Sequence, residues 1–271
     1  MMYQSIGFIG TGNMGSALAR AADKGAAEGA VLYLSNRTPA KAEKLAGELT
    51  RAKAATNGEI AQNCGLIFLG VKPQMMAGVL AELAPVLAAR TDRFVLATMA
   101  AGLSCARIRE LAGLDCPVIR LMPNTPAAIG AGVVQYCGLG AAREELEAFA
   151  ALLAPAGLVD PVPEELIDAA SAVSGCGPAY AYLFIEALAD GGVACGLPRD
   201  KALAYAAQMV AGSARMVLES GRHPGALKDA VCSPGGTTIQ GVRALEEGGF
   251  RAAAMDAVIA AYEKTRALAG K

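Results

Sequence analysis

Six residues near the start of the chain have the types and spacing to hold a phosphate: Gly10-Thr11-Gly12-Asn13-Met14-Gly15. They follow the apolar run Ile6-Gly7-Phe8-Ile9 and open a helical pattern. In that strand-to-helix setting each glycine of G-x-G-x-x-G has a job: a tight turn, close backbone approach to a pyrophosphate, and close helix–strand packing. The helix start adds unpaired amide hydrogens and the positive end of its dipole. Elsewhere in a chain the same pattern is an ordinary glycine-rich turn. Here the expectation is a dinucleotide, with Ile9 and the six residues after it against the cofactor.

A second apolar run, Val31-Leu32-Tyr33-Leu34, ends in Ser35-Asn36-Arg37-Thr38. NAD sites usually carry an acid there, which accepts bonds from the ribose hydroxyls. This one carries none, and Arg37 can make charge-assisted bonds to a 2′-phosphate. NADPH is therefore expected in preference to NADH, with NADH still usable. Three further loops follow apolar runs: Gly70-Val71-Lys72-Pro73, Met99-Ala100-Ala101-Gly102 and Met122-Pro123-Asn124-Thr125-Pro126. Gly70 to Pro73 and Met99 to Ala101 join the cofactor-binding set. Lys72, held extended before proline, faces either cofactor or solvent, and the third loop either lines the nicotinamide end or serves rigidity alone.

Farther on, Cys232-Ser233-Pro234-Gly235-Gly236-Thr237-Thr238 joins two helical patterns. Such a loop presents several amides and three hydroxyls at a helix start, a cradle for an anion the size of a carboxylate. Its plain alternative is a helix connection capped by Ser or Thr. Ser174-Gly175-Cys176-Gly177-Pro178 is a second glycine-rich turn into a helix, read as structural. The single histidine, His223, excludes a histidine metal cluster, and the seven cysteines are scattered without a C-x-x-C pair. No metal is expected, and the cysteines read as reduced thiols of a cytoplasmic protein.

The elements that must position these residues alternate. Besides the runs at 6–9 and 31–34, strands are expected at 66–69, 94–97 and 118–121. Helical patterns lie near 15–25, 39–50, 74–88 and 104–112. Strands uninterrupted by polar residues are buried on both faces, and strand–helix alternation makes a doubly wound parallel sheet. From Glu164 onward only helices are expected. The fold class is thus α/β, an N-terminal Rossmann-type sheet over 1–162 followed by an all-α domain over 163–271. Within the latter, Ala202–Ala214 carries no charge over more than three turns. A helix apolar on every face needs burial on every face, so a second subunit is expected to cover it.

Composition removes other classes. Of 271 residues 54% are hydrophobic and 18% charged, and 24 basic residues against 25 acidic leave a net charge of −1. No field exists to gather nucleic acid or an anionic membrane. The longest uncharged stretch, 121–142, is too broken by proline and glycine to span a bilayer, and the N-terminus shows no signal-peptide pattern.

Together, residues 7–14, Val71-Lys72-Pro73, the Met-Pro-Asn-Thr-Pro loop, the Ser-Gly-x-Gly-Pro-Ala-Tyr turn, His223-Pro224 and Ser233–Thr238 resemble the pyrroline-5-carboxylate reductase family. The resemblance runs from about residue 5 to 268. It implies NAD(P)H-dependent reduction of 1-pyrroline-5-carboxylate to L-proline, a helical dimerisation domain, and a homodimer or higher homo-oligomer. It also implies adenine-side contacts at Ser35, Asn36, Arg37 and Asn57. The substrate carboxylate would fall on Ser233, Gly236 and Thr237, and the ring nitrogen on the hydroxyl of Thr238, the one catalytic residue. Where some members carry an acid, this chain has Gly221. Two other readings remain at this point. One is a related dehydrogenase or imine reductase using Lys201 or Lys228 as acid or base. The other is a nucleotide-sensing module without turnover.

Overall fold

The structure is a computed structural model and describes residues 3–269. The chain divides into two compact units, one of residues up to Cys176 together with those from Ala261, the other Gly177–Ala260.

The first unit is built on β1 (Ser5–Ile9), β2 (Val31–Ser35), β3 (Ala52–Ala54), β4 (Leu66–Leu69), β5 (Val95–Thr98), β6 (Val118–Pro123), β7 (Gly132–Leu139) and β8 (Gly157–Pro161). They form one sheet in the order β3-β2-β1-β4-β5-β6-β7-β8. Pairing is parallel from β3 to β6, antiparallel between β6 and β7, and parallel again to β8. The helices are α1 (Asn13–Gly25), α2 (Pro39–Glu48), α3 (Asn57–Asn63), α4 (Pro73–Ala88), α5 (Cys105–Ala112), α6 (Arg143–Leu153) and α7 (Glu164–Ser174). Alternation along the strands sends side chains into two separate cores. Ile6, Phe8, Leu66 and Phe68 join α1 and α6 on one face, and Ile9, Ile67 and Leu69 join α3, α4 and α5 on the other. Phe8 stacks on Phe68 with ring centroids 4.4 Å apart, and Phe149 follows at 5.8 Å. Both faces are covered, as the uninterrupted apolar strands require.

The five expected strands are present, and three more join them. β3 is three residues long, β7 is broken by Gly132, Gln135 and Gly138, and β8 ends in Pro161. None has the continuous apolar run that marks a doubly buried strand. The compact boundary also falls one helix later than the 162/163 expected. The cause is polar: Asn124 Nδ2 donates to Ser174 O at 3.0 Å, Gln135 Nε2 donates to Ser174 Oγ, and Arg120 pairs with Asp168. These bonds tie α7 to β6 and β7.

The second unit holds α8 (Gly177–Ala194), α9 (Arg199–Ser220), α10 (Pro224–Ala230), α11 (Thr237–Glu247) and most of α12 (Phe250–Ala269). Gly192 lets α8 approach α9 closely, since a methyl there would stand 3.2 Å from the Ala202 side chain. Its buried cluster is small: Ala189, Ala202 and Ala206, with Ile185, Leu188 and Val193 against them. Meanwhile Tyr205, Met209, Met216 and Leu218 of α9 are exposed. The uncharged run 202–214 of α9 therefore leaves apolar side chains such as Tyr205 and Met209 uncovered. No helix among the described residues is long and apolar enough to cross a membrane.

Candidate functional sites: a dinucleotide cleft and an amide cradle

Strand register lines up the loops that could touch a ligand. Ile9 stands opposite both Ser35 and Leu69, and Leu69 opposite Thr98. The chain therefore leaves β1, β2, β4 and β5 at one level, at Gly10, Asn36, Gly70 and Met99. This is the carboxyl edge of the sheet, where strand order reverses between β1 and β4 and where open α/β sheets bind ligands.

The glycines of the fingerprint meet the demands placed on them. Gly10 has φ +98°, and a side chain on it would stand 2.6 Å from Gly70 O. A methyl on Gly15 would overlap Gly10 O, so α1 lies hard against the turn. By contrast Gly12, the N-cap of α1, has nothing within 4 Å of where its Cβ would be. No side chain caps α1 and no acid sits in its first turn. Its first amides remain open beside exposed Asn13 and half-buried Met14, which is the arrangement a pyrophosphate needs. The residues present fit a dinucleotide.

A cleft of about 600 Å³ continues from this turn, lined by Ile9, Gly10, Ser35, Asn36, Arg37, Asn57 and Val71 among others. Asn36 Nδ2 donates to Thr11 Oγ1 at 3.0 Å, and Gly10 N donates to Ser35 O at 2.9 Å. These bonds join the fingerprint to the end of β2. Arg37 is exposed on the cleft wall and makes no ion pair or hydrogen bond among the described residues. Gly70, Lys72, Pro73, Met99, Ala100 and Ala101 lie outside the cleft lining. Lys72 is the extended N-cap of α4, with its side chain exposed. Ala100 is buried, and its N–H donates to Thr98 Oγ1 at 3.3 Å.

Sequence reasoning missed part of this wall. β2 ends without an acid, yet Glu43, Glu59 and Glu82 all line the same cleft. Glu59 is used locally: its carboxylate accepts from Thr56 N at 2.7 Å while Thr56 Oγ1 accepts from Glu59 N at 3.1 Å. This capping box holds Glu59 well below the usual carboxylate range and was legible as Thr56-x-x-Glu59. Glu82 had a weaker signal, the shared face of Met75, Val79 and Glu82 at helical spacing on α4.

The loop of the second unit is a separate construction. Gly235 turns the chain with φ +69°, and Gly236 N donates to Ser233 O at 3.0 Å. Gly236, extended at φ −74° and ψ 171°, is the N-cap of α11, and no side chain caps that helix. Thr237 and Thr238 are its first two residues, so the plain Ser/Thr cap is not what they provide. The side chains of Ser233, Thr237 and Thr238 are exposed and make no hydrogen bond among the described residues. The amides at the start of α11 and these hydroxyls stand together, uncommitted, while the Gly236 amide is held by Ser233 O. His223 has a structural task, with Nδ1 accepting from Gly225 N at 3.1 Å at the start of α10. Lys228 is paired with Asp229, which raises its pKa and holds the ammonium charged. That is the wrong state for a general base.

The scattered cysteines prove less scattered in space. Cys105 Sγ lies 3.8 Å from Cys137 Sγ, and Cys105 N donates to Glu164 Oε1 at 2.7 Å. The bond to Cys137 and burial keep the Cys105 thiol protonated. The Asn124 amide is occupied at both ends, since its Oδ1 accepts from Val133 N at 2.9 Å and its Nδ2 reaches Ser174 O. The Met-Pro-Asn-Thr-Pro loop is thus braced from within.

Two families match successive parts of the chain. Residues 5–101 match the family described as NADP oxidoreductase, coenzyme F420-dependent. The fold and the cleft define a Rossmann-type oxidoreductase with a helical second unit. Residues 164–268 match the family described as pyrroline-5-carboxylate reductase dimerisation. A pyrroline-5-carboxylate reductase of Glycine max is 43% identical over 97% of this chain and 96% of its own. That of Escherichia coli K12 is 41% identical, covering 98% and 99%. The crystal structure of the Plasmodium falciparum pyrroline carboxylate reductase with NADP bound superposes with a TM-score of 0.84 at 33% identity, covering 98% of both chains. The chain belongs to the pyrroline-5-carboxylate reductase family.

Proposed function

We propose that this protein reduces 1-pyrroline-5-carboxylate to L-proline, the last step of proline biosynthesis, with NADPH as the preferred cofactor and NADH as an alternative. The observation that carries the reading is the pairing of two sites in a member of this family. One is an open-amide dinucleotide turn with its cleft. The other is an uncapped helix start with free hydroxyls at Ser233, Thr237 and Thr238.

The cofactor, when bound, supplies the hydride. The chain's own residues bind and orient. Gly10 to Gly15 and the first amides of α1 would hold the pyrophosphate, with Ser35, Asn36, Arg37 and Asn57 toward the adenosine end. Gly70 to Pro73 and Met99 to Ala101 would follow the dinucleotide along the sheet edge. The first amides of α11, from Thr237 onward, and the Ser233 hydroxyl would donate to the substrate carboxylate, with Gly236 holding the turn close against it. The Thr238 hydroxyl would bond the ring nitrogen, which enters protonated as an iminium and becomes the amine when hydride reaches the adjacent carbon, and so would steady the ring's orientation. The iminium brings its own proton, so no side-chain acid is needed, in keeping with a His223 that caps α10 and a Lys228 paired with Asp229.

We further propose that residues from about 163 onward bind substrate and form a homodimer or larger homo-oligomer in the cytoplasm. The seven free cysteines and the uncovered face of α9 support this.

Following nicotinamide absorbance with pyrroline-5-carboxylate tests the activity, and a 2-keto acid serves as the comparison. Turnover of the cyclic imine is expected. Turnover of the keto acid alone would make the chain a dehydrogenase, and nucleotide binding without turnover a sensing module. Thr238→Ala should lose about 1–3 kcal/mol of transition-state stabilisation, roughly fivefold to 150-fold in rate. Thr238→Ser should retain most of it. Equal, undiminished turnover by both variants would remove the threonine from the reaction.

A further inference from the structure

A relay of hydrogen bonds crosses the cleft wall. Ser35 Oγ donates to Asn57 Oδ1 at 2.6 Å, and Asn57 Nδ2 donates to Glu82 Oε1 at 3.2 Å. Ser35, Asn57 and Glu82 come from β2, α3 and α4, and all three line the cleft beside Arg37. A carboxylate only accepts, so Glu82 fixes which way the Asn57 amide faces. With Nδ2 held by Glu82, Oδ1 accepts from the Ser35 hydroxyl, and the remaining lone pairs of Ser35 and Asn57 are left as acceptors. Acceptors suit ribose hydroxyls; a 2′-phosphate needs donors. The same wall carries three carboxylates, Glu43, Glu59 and Glu82, against the one guanidinium of Arg37. Glu59 is held in its capping box, while Glu82 is tied only through Asn57.

We propose that Glu82 is a specificity-determining residue of this site. It serves as the acid that β2 lacks, positioning Asn57 toward a ribose 2′-hydroxyl and opposing a 2′-phosphate by charge. Cofactor choice is then set by Arg37 on one side and Glu82 on the other. The inference rests on the cleft being the adenosine end of the dinucleotide site.

The test uses the full-length protein, with kcat and KM measured for NADPH and for NADH at fixed pyrroline-5-carboxylate. Glu82→Gln keeps an acceptor for Asn57 and removes the charge. The ratio of kcat/KM for NADPH to that for NADH should rise about three- to tenfold, through a lower KM for NADPH, and the gain should shrink at high salt. Glu82→Ala also frees the Asn57 amide, so the KM for NADH should rise above that of Glu82→Gln. Glu82 is exposed, and an unchanged melting curve would confirm that folding is intact. An unchanged cofactor ratio in Glu82→Gln overturns the proposal. If Arg37→Ala shifts the ratio toward NADH while Glu82→Gln does not, only the role of Glu82 fails. If neither moves it, the cleft is not the adenosine site and the wider reading of the cofactor site fails with it.

Discussion

Two neighbouring glycines in the loop before α11 should respond in opposite ways to the same substitution. At Gly235, φ is +69° and a methyl would meet nothing within 4 Å. Alanine there costs only the left-handed backbone penalty, about 1–2 kcal/mol, taken from stability. At Gly236, φ is −74°, which any residue adopts, but a methyl would overlap the hydroxyl of Ser233 and stand 3.1 Å from its carbonyl oxygen. The hydroxyl is the free end of a rotatable side chain and can swing to another rotamer. Folding should therefore lose little, roughly 1 kcal/mol or less. What it loses is position, because Ser233 Oγ is pushed out of the cradle and the new methyl stands beside the open amides.

If that cradle holds the substrate carboxylate, one charge-assisted bond is removed. Such a bond contributes about 1.5–3 kcal/mol, so the KM for pyrroline-5-carboxylate should rise about ten- to 150-fold in Gly236→Ala. The KM for NADPH should stay near that of the unaltered protein. Thermal unfolding and initial-rate kinetics on both variants separate the two effects. A melting temperature lowered in Gly235→Ala, with substrate KM raised chiefly in Gly236→Ala, is the expected pattern. The reasoning is refuted if Gly236→Ala loses stability as Gly235→Ala does and binds substrate normally. The loop would then be a turn and nothing more.

Three other outcomes can be checked. Arg120 is buried between β6 and α7, paired with Asp168 and 3.8 Å from Glu164. Arg120→Ala strands those carboxylates and should cost about 3–5 kcal/mol in denaturant unfolding, whereas Arg120→Ala with Asp168→Ala should cost less than the single change. Tyr205→Glu places a charge on the exposed apolar face of α9 and should shift the protein toward monomer in light scattering, while a fully active monomer before any substitution would end the interface reading. Burial pushes the Cys64 thiol up to about 12 from its ordinary 9.0. The folded thiol stays neutral while the unfolded one ionises, so this contribution is complete below pH 9 and is lost as pH climbs toward 12. Cys64→Ala should flatten the fall of unfolding free energy across that window.

How much could be read from the sequence depended on whether a constraint was local. The Gly10–Gly15 turn was legible because each glycine answers to atoms a few residues away or to the adjoining strand end. Four strand ends with their loops were legible because doubly buried strands are unbroken apolar runs. β7 was not, since an antiparallel strand with Gln135 facing α7 looks like loop. The attachment of α7 to the sheet was not legible for the same cause. The polar bonds that attach α7 to the sheet pair Asp168 with Arg120 and Ser174 with Asn124, 48 and 50 residues away. No composition shift marks them.

The cleft shows the limit most sharply. Reading cofactor choice from the end of β2 assumes that the residue facing the ribose comes from β2. Here Asn57 and Glu82 reach the same wall from α3 and α4, 22 and 47 positions beyond Ser35. Their meeting depends on the register of β1, β2 and β4 and on which face α4 turns inward. A backbone site built of glycines and amides announces itself, because few residue types can make it. A side-chain relay does not, since serine, asparagine and glutamate occur everywhere, and only the sheet's register brings these three together.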